Sequence, residues 1–167
     1  MQIQKPYRET RTTHYPEPVS IVLVKDQNGQ INAMSASWFM FTSIEPSMLA
    51  VSIGFERHTF ELMQAQTEFV LCFPSEKMSR EVEFCGSNSG RDMYKLGELG
   101  TVTQPSSIVD GVLLAEATAN YECRITGSLK TGDHVIFAGE IVASHMNENL
   151  TPRIYTKKSG EFGGVSV

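Results

Sequence analysis

Strand-length apolar runs separated by turn residues extend through most of this sequence, and they constrain its fold more than any other feature. The run Val19 to Lys25 is β-branched and aliphatic, and Asp26 to Gly29 supplies turn residues that lead into a second strand over residues 30–41. Asn120 to Thr126 alternates polar and apolar side chains as a half-exposed antiparallel strand does, and His134 to His145 follows as another long strand. The pattern predicts a β-dominated barrel of antiparallel strands.

The remaining segments predict a few short helices around this barrel. Apolar spacing indicates one helix over residues 59–65 and another over residues 76–84. At 167 residues the chain is expected to form a single domain, 1–167. Prolines in residues 1–17 predict an extended lead-in, and glycines in residues 151–167 predict an irregular tail.

Charge and cysteine content argue against several function classes. The formal net charge is −5, which argues against a nucleic-acid partner, because such proteins need basic surfaces to neutralise phosphates. Cys72, Cys85 and Cys123 are odd in number and widely spaced, so we expect no metal site and no disulfide framework. The sequence has no signal peptide and no apolar run of bilayer length, so we expect a cytoplasmic protein without a membrane partner.

Small and hydroxyl side chains are unusually dense between Ile31 and Phe39, where a core strand would normally carry Val and Ile. They would let a flat ligand lie close to the backbone. The residues concerned are Ala33, Ser35, Ala36 and Ser37, with Met34 and Trp38 at the border. The same small residues would also suit a tight strand crossing that closes a barrel, so both interpretations remain open.

The loop from Ser52 to Thr59 has the features of an anion-binding site. A helix beginning just after Thr59 would present free N–H groups and a positive dipole end, and the charge of Arg57 would add to both. The alternative is that Arg57 is a surface charge and that His58 and Thr59 only begin the helix.

A second polar loop follows between Ser87 and Lys95. Its hydroxyls and flexible backbone would suit another anionic or polar ligand group, although a solvated loop has the same composition and Asp92 partly cancels Arg91. Cys85 has no basic neighbour in sequence to lower its pKa, so it is not a candidate catalytic residue.

Five segments together resemble the flavin reductase-like, FMN-binding split-barrel family, and within it the flavoredoxin-like branch. The resemblance covers about residues 16–146. The segments are Pro18-Val19, Asn32-x-Met34-x-x-Ser37-Trp38, Arg57-His58-Thr59, Cys85-Gly86-Ser87-x-Ser89-Gly90-Arg91-Asp92-x-x-Lys95 and Gly132-Asp133-His134. It implies an FMN-binding split β-barrel, and non-covalent FMN as cofactor. The tail lacks the Pro-Leu segment and the Tyr-Gly pair that family members commonly place over the cofactor.

The resemblance also implies a set of site residues. His134 is the catalytic candidate, near the nicotinamide or the flavin. The cofactor-binding candidates are Asn32, Ala33, Met34, Ser35, Ala36, Ser37, Trp38, Ser52, Ile53, Gly54, Arg57, His58, Thr59, Ser89, Gly90, Arg91 and Lys95.

The activity implied by the resemblance is NAD(P)H-dependent hydride transfer to FMN with onward electron transfer. The alternatives are a flavoredoxin-type FMN electron carrier and a non-catalytic FMN-binding protein. No GxGxxG motif follows a strand, so a dinucleotide would dock on the flavin without a binding domain of its own. We expect a homodimer, and an electron-transfer protein or monooxygenase as the onward partner.

Overall fold

The structure describes residues 1–149 and 151–165 of a computed structural model, and in them it has twelve strands, four short α-helices and two 3₁₀ turns, Arg11–His14 and Glu76–Met78. The helices are α1 Tyr7–Thr10, α2 His58–Ala65, α3 Ser79–Ser87 and α4 Lys95–Leu99. The strands are β1 Glu17–Pro18, β2 Ser20–Lys25, β3 Ile31–Ala36, β4 Phe39–Ser43, β5 Met48–Gly54, β6 Glu68–Phe73, β7 Thr103–Pro105, β8 Val112–Leu114, β9 Ala119–Thr131, β10 His134–Met146, β11 Arg153–Lys158 and β12 Glu161–Val165. In these residues no helix has the length and apolar character needed to cross a bilayer.

The main sheet is a barrel that stays open along one line. Its seven strands are antiparallel neighbours in the order β3-β2-β6-β9-β10-β5-β4. The two edge strands, β3 and β4, are joined only by Ser37 and Trp38, so their adjoining ends lie within about 11 Å of each other. Trp38 O accepts a hydrogen bond from Ser52 N at 2.8 Å, which ties this join to β5. The predicted split barrel is confirmed, and the predicted single strand 30–41 is interrupted where the split begins.

Strand β2 is buried on both faces, which explains its continuous apolar sequence. Ile21 and Leu23 pack on one side with residues of α3 and α4, whereas Val22 and Val24 pack on the other side with residues of β5 and β10. Alternate side chains of a strand point to opposite faces, so one strand contributes to two apolar clusters.

The alternation in residues 120–126 predicted a half-exposed strand, and this prediction is wrong for two of its polar residues. Asn120 and Glu122 are buried, because the segment 106–114 covers that face of β9. Asn120 exchanges hydrogen bonds with the backbone of Leu114, so its amide is satisfied inside the fold. The strand also continues to Thr131, and the turn into β10 lies at Gly132 and Asp133.

The lead-in and the tail are more regular than predicted. Residues 7–10 and 11–14 form two short helical turns, because Pro6 sits just before the first of them, where its fixed φ is compatible with a helix start. In the tail, β11 and β12 form a hairpin, and β11 pairs with β1. The glycines at 163 and 164 suggested a loop, but they lie where side chains would collide with Lys157 and Glu76. The last two predicted tail residues, 166 and 167, lie outside the described residues.

Candidate functional site

A cleft with two adjoining parts lies beside the opening of the barrel. One part, the helix end, lies between β3, the start of α2 and the loop 85–91. The other part, the split end, lies around Ser37 and Trp38 and is bordered by β5 and the start of β10. The two parts share Met34, Glu56, Arg57 and Gly86 as lining residues, so they form one continuous groove.

At the helix end, a hydrogen bond between two buried side chains fixes the start of α2. Asn32 Nδ2 donates to Thr59 Oγ1 at 2.8 Å, which joins β3 to the first turn of the helix. Asn32 is 8% exposed, and its Oδ1 has no hydrogen-bond partner among the described residues. A buried acceptor without a donor is costly, so this atom marks where a ligand donor would be stabilised.

The loop 85–91 covers Asn32, and a buried lysine holds it through hydrogen bonds to its backbone. Lys95 Nζ donates to Cys85 O at 3.2 Å and to Asn88 O at 3.0 Å, which satisfies carbonyls at the end of α3. Burial lowers the pKa of Lys95, which is 3% exposed. Gly90 packs so closely on Asn32 that a Cβ would overlap its Oδ1. Lys95 therefore positions the loop, and Gly90 lets it approach.

The two arginines of the helix end are paired with carboxylates. Arg57 Nε lies 3.2 Å from Glu56 Oε1, and Arg91 Nη2 donates to Glu61 Oε1 at 2.8 Å. Glu61 Oε2 also lies 3.2 Å from His58 Nδ1. The hydrogen bond from Arg91 and then that from His58 lower the pKa of Glu61. An anionic ligand would therefore compete with Glu56 and Glu61 for these groups.

The split end is lined by several small residues. The unpaired edge of β3 faces it, since β3 pairs only with β2 within the described chain. Ser35 Oγ donates to Val82 O at 2.7 Å, which holds this strand against α3. Gly54 leaves space into which the Glu56 carboxylate folds, because a Cβ there would lie 2.8 Å from Glu56 Oε2. A flat ligand would find unpaired backbone groups along the edge of β3 and small side chains beside them.

Trp38 and His134 stand side by side at the mouth of the split end. Their ring centroids are 4.8 Å apart, with the planes inclined at 36°. His134 Nδ1 lies 2.6 Å from Asp133 Oδ1, and this hydrogen bond lowers the pKa of Asp133. With Nδ1 engaged, Nε2 is the His134 nitrogen left for a ligand.

The structure brings most of the predicted site residues into this one cleft. The helix end includes Asn32, Met34, Arg57, His58, Thr59, Ser89, Gly90, Arg91 and Lys95. The split end includes Ser35, Ala36, Ser37, Trp38, Ser52, Gly54 and His134. Ala33 and Ile53 differ, because they are fully buried in the apolar clusters and line neither part of the cleft.

Several lining residues were absent from the predicted set. The sequence could have indicated Glu56, since it lies between the predicted residues Gly54 and Arg57. Tertiary folding alone brings the other three to the cleft, and they are Arg11, Glu17 and Asp133. The other lining residues that were not predicted lie at the start of the segment 85–95, which carries part of the family resemblance. They are Cys85, Gly86, Ser87 and Asn88.

Two further properties bear on the chemistry available at this site. Burial raises the pKa of Cys85 to about 11, with Lys95 opposing the shift, so its thiol stays protonated at neutral pH. In residues 1–149 and 151–165 no group of three or more His, Cys, Asp or Glu side chains could hold a metal ion.

Comparison with known proteins identifies the family. The profile of the flavin reductase like domain matches residues 12–165. An uncharacterized protein of Pyrococcus abyssi is 35% identical over 127 residues, which cover 75% of this chain and 73% of that protein.

Three solved structures share the fold at lower sequence identity. The FMN-binding protein from Thermus thermophilus superposes with a TM-score of 0.86 at 24% identity, covering 99% of this chain and 95% of that one. Flavoredoxin from Methanosarcina acetivorans has a TM-score of 0.85 at 22% identity, covering 100% and 92%. The Streptomyces globisporus NADH:FAD oxidoreductase has a TM-score of 0.85 at 18% identity, covering 99% and 98%. The profile match over nearly the whole chain, together with this fold, means that the protein belongs to the flavin reductase-like family of FMN-binding split barrels.

Proposed function

We propose that this protein binds FMN non-covalently in the cleft, reduces it with NAD(P)H and passes the electrons to a further acceptor. The observation that carries the proposal is that the two ends of one continuous groove differ. Arginines line the helix end, whereas small side chains and the unpaired strand edge line the split end. FMN has the same division, with a phosphate at one end and a flat ring at the other.

The helix end fits a phosphate and a polyhydroxyl chain. Arg57 and Arg91 can make charge-assisted hydrogen bonds to phosphate oxygens, and the first turn of α2 directs N–H groups to the same place. Asn32 lines this end as well, and its unpartnered Oδ1 would gain a donor if a ribityl hydroxyl reached it past Gly90. Ser87 and Ser89 add hydroxyls from the other wall of the cleft.

The split end fits the ring. The free edge of β3 offers backbone N–H and C=O groups to the polar edge of a flat ligand, and the residues from Ser35 to Ser37 leave room for it. Trp38 and His134 border the open side. Bound FMN would supply the redox chemistry by accepting a hydride from nicotinamide, while the chain contributes position, hydrogen bonds and exclusion of water.

The proposal is tested by flavin retention and reduction. Purified protein is mixed with excess FMN, desalted, and its visible absorption recorded before and after anaerobic addition of NADH or NADPH. Retained flavin that bleaches with a nicotinamide is the expected result. Retained flavin that stays oxidised would replace the reductase with a flavoredoxin-type carrier or a non-catalytic binding protein. Loss of all flavin would contradict the assignment of the cleft.

The onward acceptor is proposed to be an electron-transfer protein or a monooxygenase. With the holoprotein reduced anaerobically, reoxidation by added FMN, FAD, ferric ions or a candidate protein identifies which acceptor is used. Reoxidation by free flavin alone would contradict a protein partner.

A homodimer is proposed from the exposed edge of the sheet. Strand β4 has no partner on its outer side within the described chain, and Met40, Phe41 and the following Ile44 are 59%, 56% and 91% exposed. An apolar edge strand is normally covered, and a second copy of the chain would do so. Phe55 and Tyr121 add little to this apolar edge, because they pack partly inside the barrel. Light scattering on the FMN-loaded protein should give a dimer mass, and Phe41→Glu should shift it to a monomer.

A further inference from the structure

We infer that Arg11, on the N-terminal helical turn, binds a phosphate group of the nicotinamide dinucleotide and so determines how well that donor is used. The inference rests on the proposed function, since it assigns a phosphate site to the second ligand. Arg11 lines the split end together with Trp38 and His134, although it is distant from both in sequence.

The charges around Arg11 leave its guanidinium available. Glu17 lies 2.9 Å from His14, Asp133 lies 2.6 Å from His134, and Glu56 lies 3.2 Å from Arg57. Each acidic side chain of the split end thus has another partner. Within residues 1–149 and 151–165, the Arg11 guanidinium forms no hydrogen bond or ion pair. Its backbone N–H donates to Tyr7 O, and its carbonyl is engaged by His14.

The chemistry of the donor requires such a group. NAD(P)H carries a diphosphate, and NADPH one phosphate more, whereas the chain has no glycine-rich dinucleotide loop to receive them. Arg57 is shared with the helix end, where FMN phosphate would use it. Of the residues that the structure describes, Arg11 is the remaining arginine or lysine that lines the split end, and a planar guanidinium pairs well with phosphate oxygens.

The way the N-terminal segment is held agrees with this role. No residue from 1 to 14 is buried, and the segment is joined to the fold through Glu17 and Pro18 of β1, which pair with β11. Arg11 can therefore adjust to a ligand without disturbing the core. Substitution at this position should leave folding unchanged for the same reason.

The test compares Arg11→Ala with Arg8→Ala, a matched exposed arginine one turn earlier that does not line the cleft. Arg11→Ala should raise KM for the nicotinamide donor about tenfold, the size of one charge-assisted contact at an exposed site, with kcat within about twofold. Arg11→Lys should recover part of the loss, and Arg8→Ala should match the wild type. If KM rises for both NADH and NADPH, Arg11 contacts the diphosphate. If KM rises for NADPH alone, Arg11 contacts the additional phosphate.

A second readout does not depend on turnover. Calorimetric titration of the FMN-loaded protein with NAD⁺ or NADP⁺ should show the same loss of affinity in Arg11→Ala and a marked weakening with added salt. Equal KM and equal affinity in the Arg11 and Arg8 variants would overturn the inference and leave the proposed function intact. If the wild type retains FMN but neither oxidises nor binds NADH or NADPH, both the inference and the proposed reductase function are overturned.

Discussion

Asn32 and Thr59 are joined by a hydrogen bond of 2.8 Å that fixes strand β3 to the first turn of helix α2. The bond uses the amide nitrogen of Asn32 and leaves its Oδ1 buried beside Gly90 without a donor among the described residues. The two walls of the helix end are thereby held at a set separation before any ligand arrives. Such preorganisation reduces the cost of ordering the site on binding.

The closeness of Gly90 to Asn32 makes Gly90→Ala a sensitive probe of this arrangement. The added Cβ would overlap Asn32 Oδ1, so the loop must move away and its contacts to a ligand must loosen. We expect FMN affinity to fall at least about tenfold, or ~1.4 kcal/mol. Gly127→Ala is the control, because a Cβ there meets no atom within 4 Å. Equal affinities of the two variants, measured by flavin fluorescence titration, would contradict a ligand site at this loop.

Arg57 is expected to contribute directly to phosphate binding. A charge-assisted hydrogen bond contributes about 1.5 to 3 kcal/mol, and the 55% exposure of the Arg57 side chain favours the lower value. Arg57→Ala should therefore weaken FMN binding about tenfold in the same titration. Arg124→Ala, which removes a surface arginine paired with Glu68, should have no effect. Unchanged affinity in Arg57→Ala would remove this residue from the site.

Glu56 should act against the ligand that Arg57 favours. Its carboxylate lies 3.2 Å from Arg57 Nε and lines both ends of the cleft, so it competes with a phosphate for the same cation. Exposed pairs of this kind contribute less than about 1 kcal/mol, so Glu56→Gln should tighten FMN binding roughly two- to fivefold at low salt. The control is Glu116→Gln, an exposed carboxylate outside the cleft. Weaker binding in Glu56→Gln would show that Glu56 supports the ligand.

The strands and most of the cleft were predictable because their signals are local. Apolar runs, turn residues and the density of small side chains from Ile31 onward lie in contiguous sequence. Arg11 and Glu122 carry no such signal, because the position of Arg11 depends on how the N-terminal segment folds back and Glu122 is buried by a segment from another part of the chain. The tail was mispredicted because glycine is common in loops, whereas here it relieves contacts with Lys157 and Glu76.

Glu122 is expected to make stability fall in acid. Burial raises the pKa of its carboxyl, but hydrogen bonds from the backbone of Ser107, Val109 and Ile108 and from the Ser107 hydroxyl outweigh burial and lower the pKa to about 2. The folded-state pKa lies below the ordinary 4.5, so the stabilisation is present above about pH 4.5 and is lost as the pH falls towards 2.

The comparison that isolates this effect is Glu122→Gln against the wild type. At pH 7 the variant should lose about 3 kcal/mol of unfolding free energy, the equivalent of its pKa shift, and the difference should shrink as the pH falls below about 4.5. Urea unfolding across this pH range measures it, with Glu116→Gln as the exposed control. A difference that stays constant with pH would mean that packing, and not ionisation, accounts for the loss.

His134 should affect the reaction more than it affects cofactor binding. Its Nδ1 is engaged by Asp133 and its ring lies against Trp38, and it lines the split end of the cleft but not the helix end. His134→Asn should therefore change FMN affinity by less than about threefold. If Nε2 contacts the reacting groups, the same variant should lower the rate of flavin reduction by NAD(P)H about tenfold or more. Asp133→Asn keeps the imidazole but removes the carboxylate that orients it, so a smaller loss is expected. Stopped-flow reduction of the FMN-loaded proteins separates the two effects, and a rate within twofold of the wild type in His134→Asn would restrict His134 to packing against Trp38.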